Sequence, residues 1–122
     1  MFEINESRSS ATCLGIKVSG KVSTADYRIL RERLQAMIAT HGQANLVVLI
    51  EDFEGWDDAD AVREDVALGF DEYPQIDRAA FVVDNRWYAA AVKLLDPLTR
   101  LTEEKAFSPQ EIDDAWDWAC AG

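Results

Sequence analysis

Asn45-Leu46-Val47-Val48-Leu49-Ile50 decides the fold. A nearly continuous aliphatic run without polar alternation predicts a strand covered on both faces, in the middle of a parallel sheet. Arg78-Ala79-Ala80-Phe81-Val82-Val83 is a second run of the same kind. Before the first run the apolar period lengthens to that of a helix. Tyr27, Leu30, Leu34, Met37 and Ile38 share one face, Ser23 with Asp26 three positions on supplies a start signal, and His41-Gly42 supplies the stop. Between the runs lies an acidic loop, Glu51-Asp52-Phe53-Glu54-Gly55-Trp56-Asp57-Asp58. A second helix follows, carrying Ala59, Val62, Val66 and Phe70 inward and broken at Tyr73-Pro74. A third helix runs from about Arg86 to Asp96 and stops before Pro97.

At the two ends the pattern completes itself. Phe2 to Glu6 and Thr12 to Val18 read as strands joined by polar Ser7 to Ser10, hence antiparallel, with Gly20 closing the hairpin. Arg100 to Phe107 contains a short final strand. Ser108-Pro109-Gln110-Glu111 then opens a last helix bearing Ile112, Ala115, Trp116, Trp118 and Ala119. Trp116 and Trp118, two residues apart, must point in different directions, one onto the sheet and the other partly outward. The order β-β-α-β-α-β-α-β-α predicts a single α/β domain over residues 1–122. Its sheet has about five strands, mainly parallel with an antiparallel N-terminal hairpin strand, packed with about four helices.

Composition narrows the function. The chain has 122 residues, 48% of them hydrophobic, with four Trp, enough apolar surface for one core. A formal net charge of −11 repels phosphate backbones and excludes sequence-independent nucleic-acid binding. No apolar run approaches the roughly 20 residues that span a bilayer, and the N-terminus carries no signal-peptide pattern, so a cytoplasmic location is expected. Cys13 and Cys120 form no C-x-x-C pair and are expected as reduced, small apolar residues. His41, the only histidine, excludes His-rich zinc sites and weakens any Ser-His-Asp arrangement. No metal or other cofactor is expected, and no catalytic constellation is present, so the chain reads as a non-enzyme.

Several segments together resemble the bacterial SpoIIAA-like proteins: Asp26-Tyr27, Leu49 to Trp56, Asp77 to Trp87, Phe107-Ser108 and Ala115-Trp116-Asp117-Trp118. That family is related in fold to the STAS domains of anti-sigma-factor antagonists and likened to the CRAL-TRIO lipid-binding fold. The resemblance implies a non-catalytic domain that binds an apolar or amphiphilic ligand, with membrane contact, through movable helices. STAS regulators carry a phosphorylatable Ser after the third strand, where a helix N-terminus helps hold the phosphate. This chain has no Ser or Thr from Glu51 to Asp57.

Two features carry the functional expectations. The predicted third helix is apolar on more than one side, with Trp87, Ala90, Ala91 and Leu94 on one and Tyr88, Val92 and Leu95 on another. The surplus is core against a neighbouring helix, a subunit interface, a cleft lining or a membrane contact. Phe53 and Trp56 bracket Gly55 at the carboxyl end of a central strand, where open α/β sheets bind ligands. The expected ligand-binding residues are therefore Phe53, Trp56, Phe70, Tyr73, Trp87, Tyr88 and Leu95. They would hold a small amphiphile or lipid between the sheet and the second and third helices, with peripheral membrane contact. The alternative is a regulatory protein–protein interaction module that meets a protein partner, or a second copy, through Asp57, Asp58 and Asp60. From Glu51 to Glu72 ten acidic residues face one basic residue, Arg63, but their spacing matches no calcium-hand loop.

Overall fold

The computed structural model describes residues 1–57, 76–84, 86 and 103–121. Its elements are β1 (Phe2–Ile4), β2 (Cys13–Val22), α1 (Thr24–His41), β3 (Asn45–Trp56), β4 (Arg78–Val82), β5 (Glu103–Phe107), a single 3-10 turn (Pro109–Glu111) and α2 (Ile112–Cys120). The five strands lie side by side in sequence order. β1 and β2 are antiparallel, and each later pair is parallel. This is the mixed α/β sheet expected from the two aliphatic runs. Apart from Arg86, the predicted second and third helices fall outside the described residues.

Local signals set the boundaries of α1. Asp26 Oδ2 accepts hydrogen bonds from the Ser23 backbone N–H at 2.8 Å and the Ser23 hydroxyl at 3.1 Å, and the Asp26 N–H lies 3.4 Å from Ser23 Oγ. The same carboxylate accepts from the Phe2 N–H through Oδ1 at 3.2 Å, tying β1 to the start of the helix. At the other end Gly42 is left-handed (φ 72°) and donates its N–H to Ile38 at 2.7 Å.

The sheet is covered on both faces, by unequal means. Tyr27, Leu30, Leu34 and Met37 of α1 pack with Leu14, Ile16, Val18, Leu46, Val48, Ile50 and Phe81 in the larger cluster. On the opposite face Ala115, Trp116 and Ala119 of α2 pack with Cys13, Val47, Ala80, Val82 and Phe107. Successive strand residues alternate between these clusters, as the pleat requires. Asn45, the one buried polar residue among those described, donates to the Thr12 carbonyl at 3.2 Å and accepts from the Arg78 N–H at 3.1 Å. It thereby fixes the starts of β3 and β4 against the residue before β2.

α2 is held to β2 at close range. A Cβ added to Gly15 would lie 2.1 Å from Trp116 Cη2, so the indole rests directly on the glycine backbone. The Arg8 guanidinium lies 5.0 Å from the Trp116 ring and donates to Asp113 Oδ1 at 2.8 Å. Trp116 is buried while Trp118 is half-buried, as the two-residue spacing predicts. Arg78 lies 5.1 Å from the Trp118 ring and donates to its carbonyl at 2.9 Å.

Three expectations need correction. Cys13 and Cys120 are not free thiols: they form a disulfide, with Cα atoms 5.3 Å apart. The fold brings β2's first residue beside α2's last, although 107 positions separate them in sequence. The N-terminal hairpin does not close at Gly20, because β2 continues to Val22 through register shifts on either side of that glycine. The acidic segment after Ile50 is not a loop, because β3 continues to Trp56.

Candidate functional site

The carboxyl ends of the parallel strands position the described part of the candidate site. β3 keeps pairing with β2 through its acidic second half, with Gly20 opposite Phe53, Lys21 opposite Gly55 and Val22 opposite Trp56. Two residues with positive φ make this possible, Asp52 at 51° and Gly55 at 99°. Aspartate is among the few side-chain-bearing residues that enter the left-handed region readily, and 99° suits only glycine. The irregularity turns Phe53 into the core, 6% exposed, and leaves Trp56 half-buried beside it. Their rings meet edge to face, 5.2 Å between centroids.

Trp56 is also tied to α1, since its indole Nε1 lies 3.3 Å from the Tyr27 hydroxyl. Tyr27 in turn meets Phe2 edge-on at 5.3 Å. A continuous aromatic row, Phe2, Tyr27, Trp56 and Phe53, thus crosses from β1 over α1 to the end of β3. Glu51, Asp52, Glu54 and Asp57 are exposed beside it. Glu51 lies 3.4 Å from Lys17 on the paired strand, and the Asp57 N–H is held by the Val22 carbonyl at 3.0 Å. Of the expected ligand-binding residues, the structure brings together Phe53 and Trp56. Phe70, Tyr73, Trp87, Tyr88 and Leu95 lie outside the described residues, as do Asp58 and Asp60.

A second feature at the same end of the sheet was not anticipated. Val83, Asp84, Ala106 and Phe107, with Ser108 to Glu111, line an open recess of about 530 Å³ beyond β4 and β5. Ser108 donates to Glu111 Oε1 through its backbone N–H and its hydroxyl, each at 3.0 Å. The backbone N–H above all, then the hydroxyl, holds the Glu111 carboxyl below its ordinary value. Asp84 accepts from the Arg86 N–H at 2.9 Å. The Ser108–Glu111 pair was readable as a helix start. Its place beside the end of β4 was not, because that depends on strand order.

The Arg33 guanidinium, hydrogen-bonded to Glu6, holds that carboxyl below its ordinary value and is itself raised, outside the aromatic row and the recess. Among the described residues no group of three or more His, Cys, Asp or Glu side chains is placed to hold a metal ion.

A family model described as SpoIIAA-like matches residues 13–120. The chain belongs to the SpoIIAA-like family. An uncharacterised protein from Shewanella loihica with a SpoIIAA-like fold superposes with a TM-score of 0.65, covering 98% of this chain and 93% of that one. The two are 23% identical, so the likeness speaks for the fold. No curated protein matches the sequence. The SpoIIAA-like fold is that of binding and regulatory domains and is generally non-enzymatic. In this SpoIIAA-like chain the strand order runs straight from β1 to β5. The reversal of order that opens a crevice in doubly wound sheets is therefore absent from the five strands. No helix among the described residues is long and apolar enough to cross a membrane.

Proposed function

We propose that the protein is a non-enzymatic binding domain that holds a small amphiphilic or apolar ligand at the carboxyl end of its sheet. The ligand sits between the sheet and the segments read from sequence as the second and third helices. The observation that carries this reading is Trp56, half-buried at the end of central strand β3 and stacked edge to face on Phe53. An indole with one polar edge and a broad apolar face suits a ligand with both characters. Phe70, Tyr73, Trp87, Tyr88 and Leu95 are the further residues expected from sequence to bind it. Native mass spectrometry of protein purified without detergent tests this. The expected result is a bound mass that disappears on denaturation and is lost in Trp87→Ala while far-UV circular dichroism is unchanged. A bare chain, or binding that survives Trp87→Ala, overturns the site as drawn.

A second reading rests on the exposed carboxylates of Glu51, Asp52, Glu54 and Asp57 at the same strand end. In it, Asp57 with Asp58 and Asp60 engages a basic protein partner. Without a Ser or Thr in the segment, the phosphorylation switch of sigma-factor antagonists has no acceptor there. Charge reversal at Asp57 and Asp58 is expected to abolish a salt-sensitive association. Peripheral contact of the ligand-binding end with a membrane belongs to the first reading, and vesicle co-sedimentation tests it.

A further inference from the structure

We propose that Cys13 and Cys120 form a reversible thiol–disulfide modification site, entered by small thiols at Cys120. The inference is independent of the ligand reading. The two cysteines are unequal. Cys13 has no exposed surface and begins β2, where its carbonyl accepts from the Ser10 N–H at 2.8 Å. Cys120 is exposed and is the last residue of α2. An incoming thiolate must approach a disulfide sulfur along an open path, so access directs it to Cys120 Sγ.

The reaction follows from that asymmetry. The sulfur of a small thiolate such as glutathione bonds to Cys120 Sγ, and the Cys13–Cys120 bond breaks. Cys13 Sγ leaves with the electron pair and takes a proton from solvent. A second thiolate attacks the external sulfur of the mixed disulfide. It releases Cys120 as a thiolate and carries the first thiol away as its own disulfide. The two thiolates supply the two electrons that the protein disulfide gains and leave joined as a small disulfide, while Cys13 and Cys120 take their protons from solvent. The reverse sequence, driven by the oxidised small disulfide, closes the bond again.

The reduced protein has somewhere to rest without unfolding. Ala115, Trp116 and Ala119 are buried, and Trp116 lies on the Gly15 backbone with the Arg8 guanidinium 5.0 Å from its ring, contacts that do not pass through the sulfurs. A Cys13 thiol stays among Val47, Ala80, Val82 and Phe107, an environment that suits a small apolar side chain. Cys120 occupies an exposed position at the helix end. Exchange is therefore a local event at the end of α2.

Purified protein equilibrated without denaturant in graded ratios of reduced to oxidised glutathione tests this, with acid quenching, alkylation and intact-mass measurement. We expect a graded conversion to the dithiol while far-UV circular dichroism stays native. We also expect Cys13→Ala to take up glutathione at Cys120, and Cys120→Ala to lose the adduct although Cys13 remains. Reduction that occurs only in denaturant overturns the proposal, as does an adduct on Cys13 or alkylation of both cysteines at every ratio. Should Cys13→Ala fail to fold, the titration of the unmodified chain still decides.

Discussion

The two faces of the sheet solve the same problem with different resources. The α1 face has an 18-residue helix with a residue-matched cap at each end, and a long buried stripe holds it with no covalent tie. The α2 face has nine helical residues, of which Ala115, Trp116 and Ala119 are buried. Helices that short are marginal in water, so docking has to supply nearly all of their stability. A covalent bond at one end, an indole seated on a bare glycine and an arginine over that indole supply it here. Short elements need specific fasteners where long ones need only a stripe.

Removing the covalent fastener should have the largest effect. The bond closes a loop with a sequence separation of 107, and the chain-entropy account gives such loops about 5 kcal/mol. Cys120→Ser, at an exposed position, should therefore lower the melting temperature by roughly 15 °C, read by circular dichroism. A loss of only a degree or two would mean that the unfolded chain already keeps its ends together. On the other face Leu34→Ala, at a fully buried position, should cost about 3 kcal/mol in urea unfolding. Equal costs for a single leucine and the whole disulfide would erase the contrast between the faces.

Gly15→Ala tests the indole seat. The new methyl would overlap Trp116, and the expected loss is about 2 kcal/mol. Combining it with Trp116→Leu should cost less than the sum of the single changes, since the smaller side chain removes the clash. Additive costs would show that the indole has room to move.

The smallest effect is electrostatic. Arg33 donates to both Glu6 oxygens, at 2.7 and 3.0 Å, and this hydrogen-bonded guanidinium holds the Glu6 carboxyl below its ordinary value. Glu111 is held down by Ser108 on the α2 side. A depressed carboxylate contributes stability above its unfolded value, near 4.5, and loses it as pH falls through the lower folded value. Both groups are at the surface, so the loss should be slight and salt-sensitive. Carboxyl titration by NMR should show Arg33→Gln returning Glu6 toward its ordinary value while Glu111 stays depressed.

The elements that were legible in the sequence carry their own signals. The Ser23–Asp26 box, the Gly42 stop, the aliphatic runs at Asn45 and Arg78 and the Ser108-Pro109 start each act within a few residues. The unread features depend on partners far away. Acidic residues after Ile50 suggest a loop, yet they alternate with inward Phe53 and pair with β2, helped by positive φ at Asp52 and Gly55. The disulfide had no local mark at all, because only strand order and helix docking bring residues 13 and 120 together. Half of the aromatic row was visible as the odd choice of Phe53 and Trp56 in acidic company. Their link to Tyr27 needed the packing of α1.

The sulfur bridge also determines how the molecule would bear tension. Pulled from its two ends, the oxidised chain transmits load across the bridge, and the stretch between Cys13 and Cys120 feels none of it. Among the described residues, β2 to β5, α1, α2 and the Tyr27, Trp56 and Phe53 part of the aromatic row all lie within that stretch. Only residues outside it can lengthen. Once reduced, the same pull reaches β2 and α2 directly, so a change of two electrons sets whether the domain behaves as an inextensible link or as an unfoldable spring.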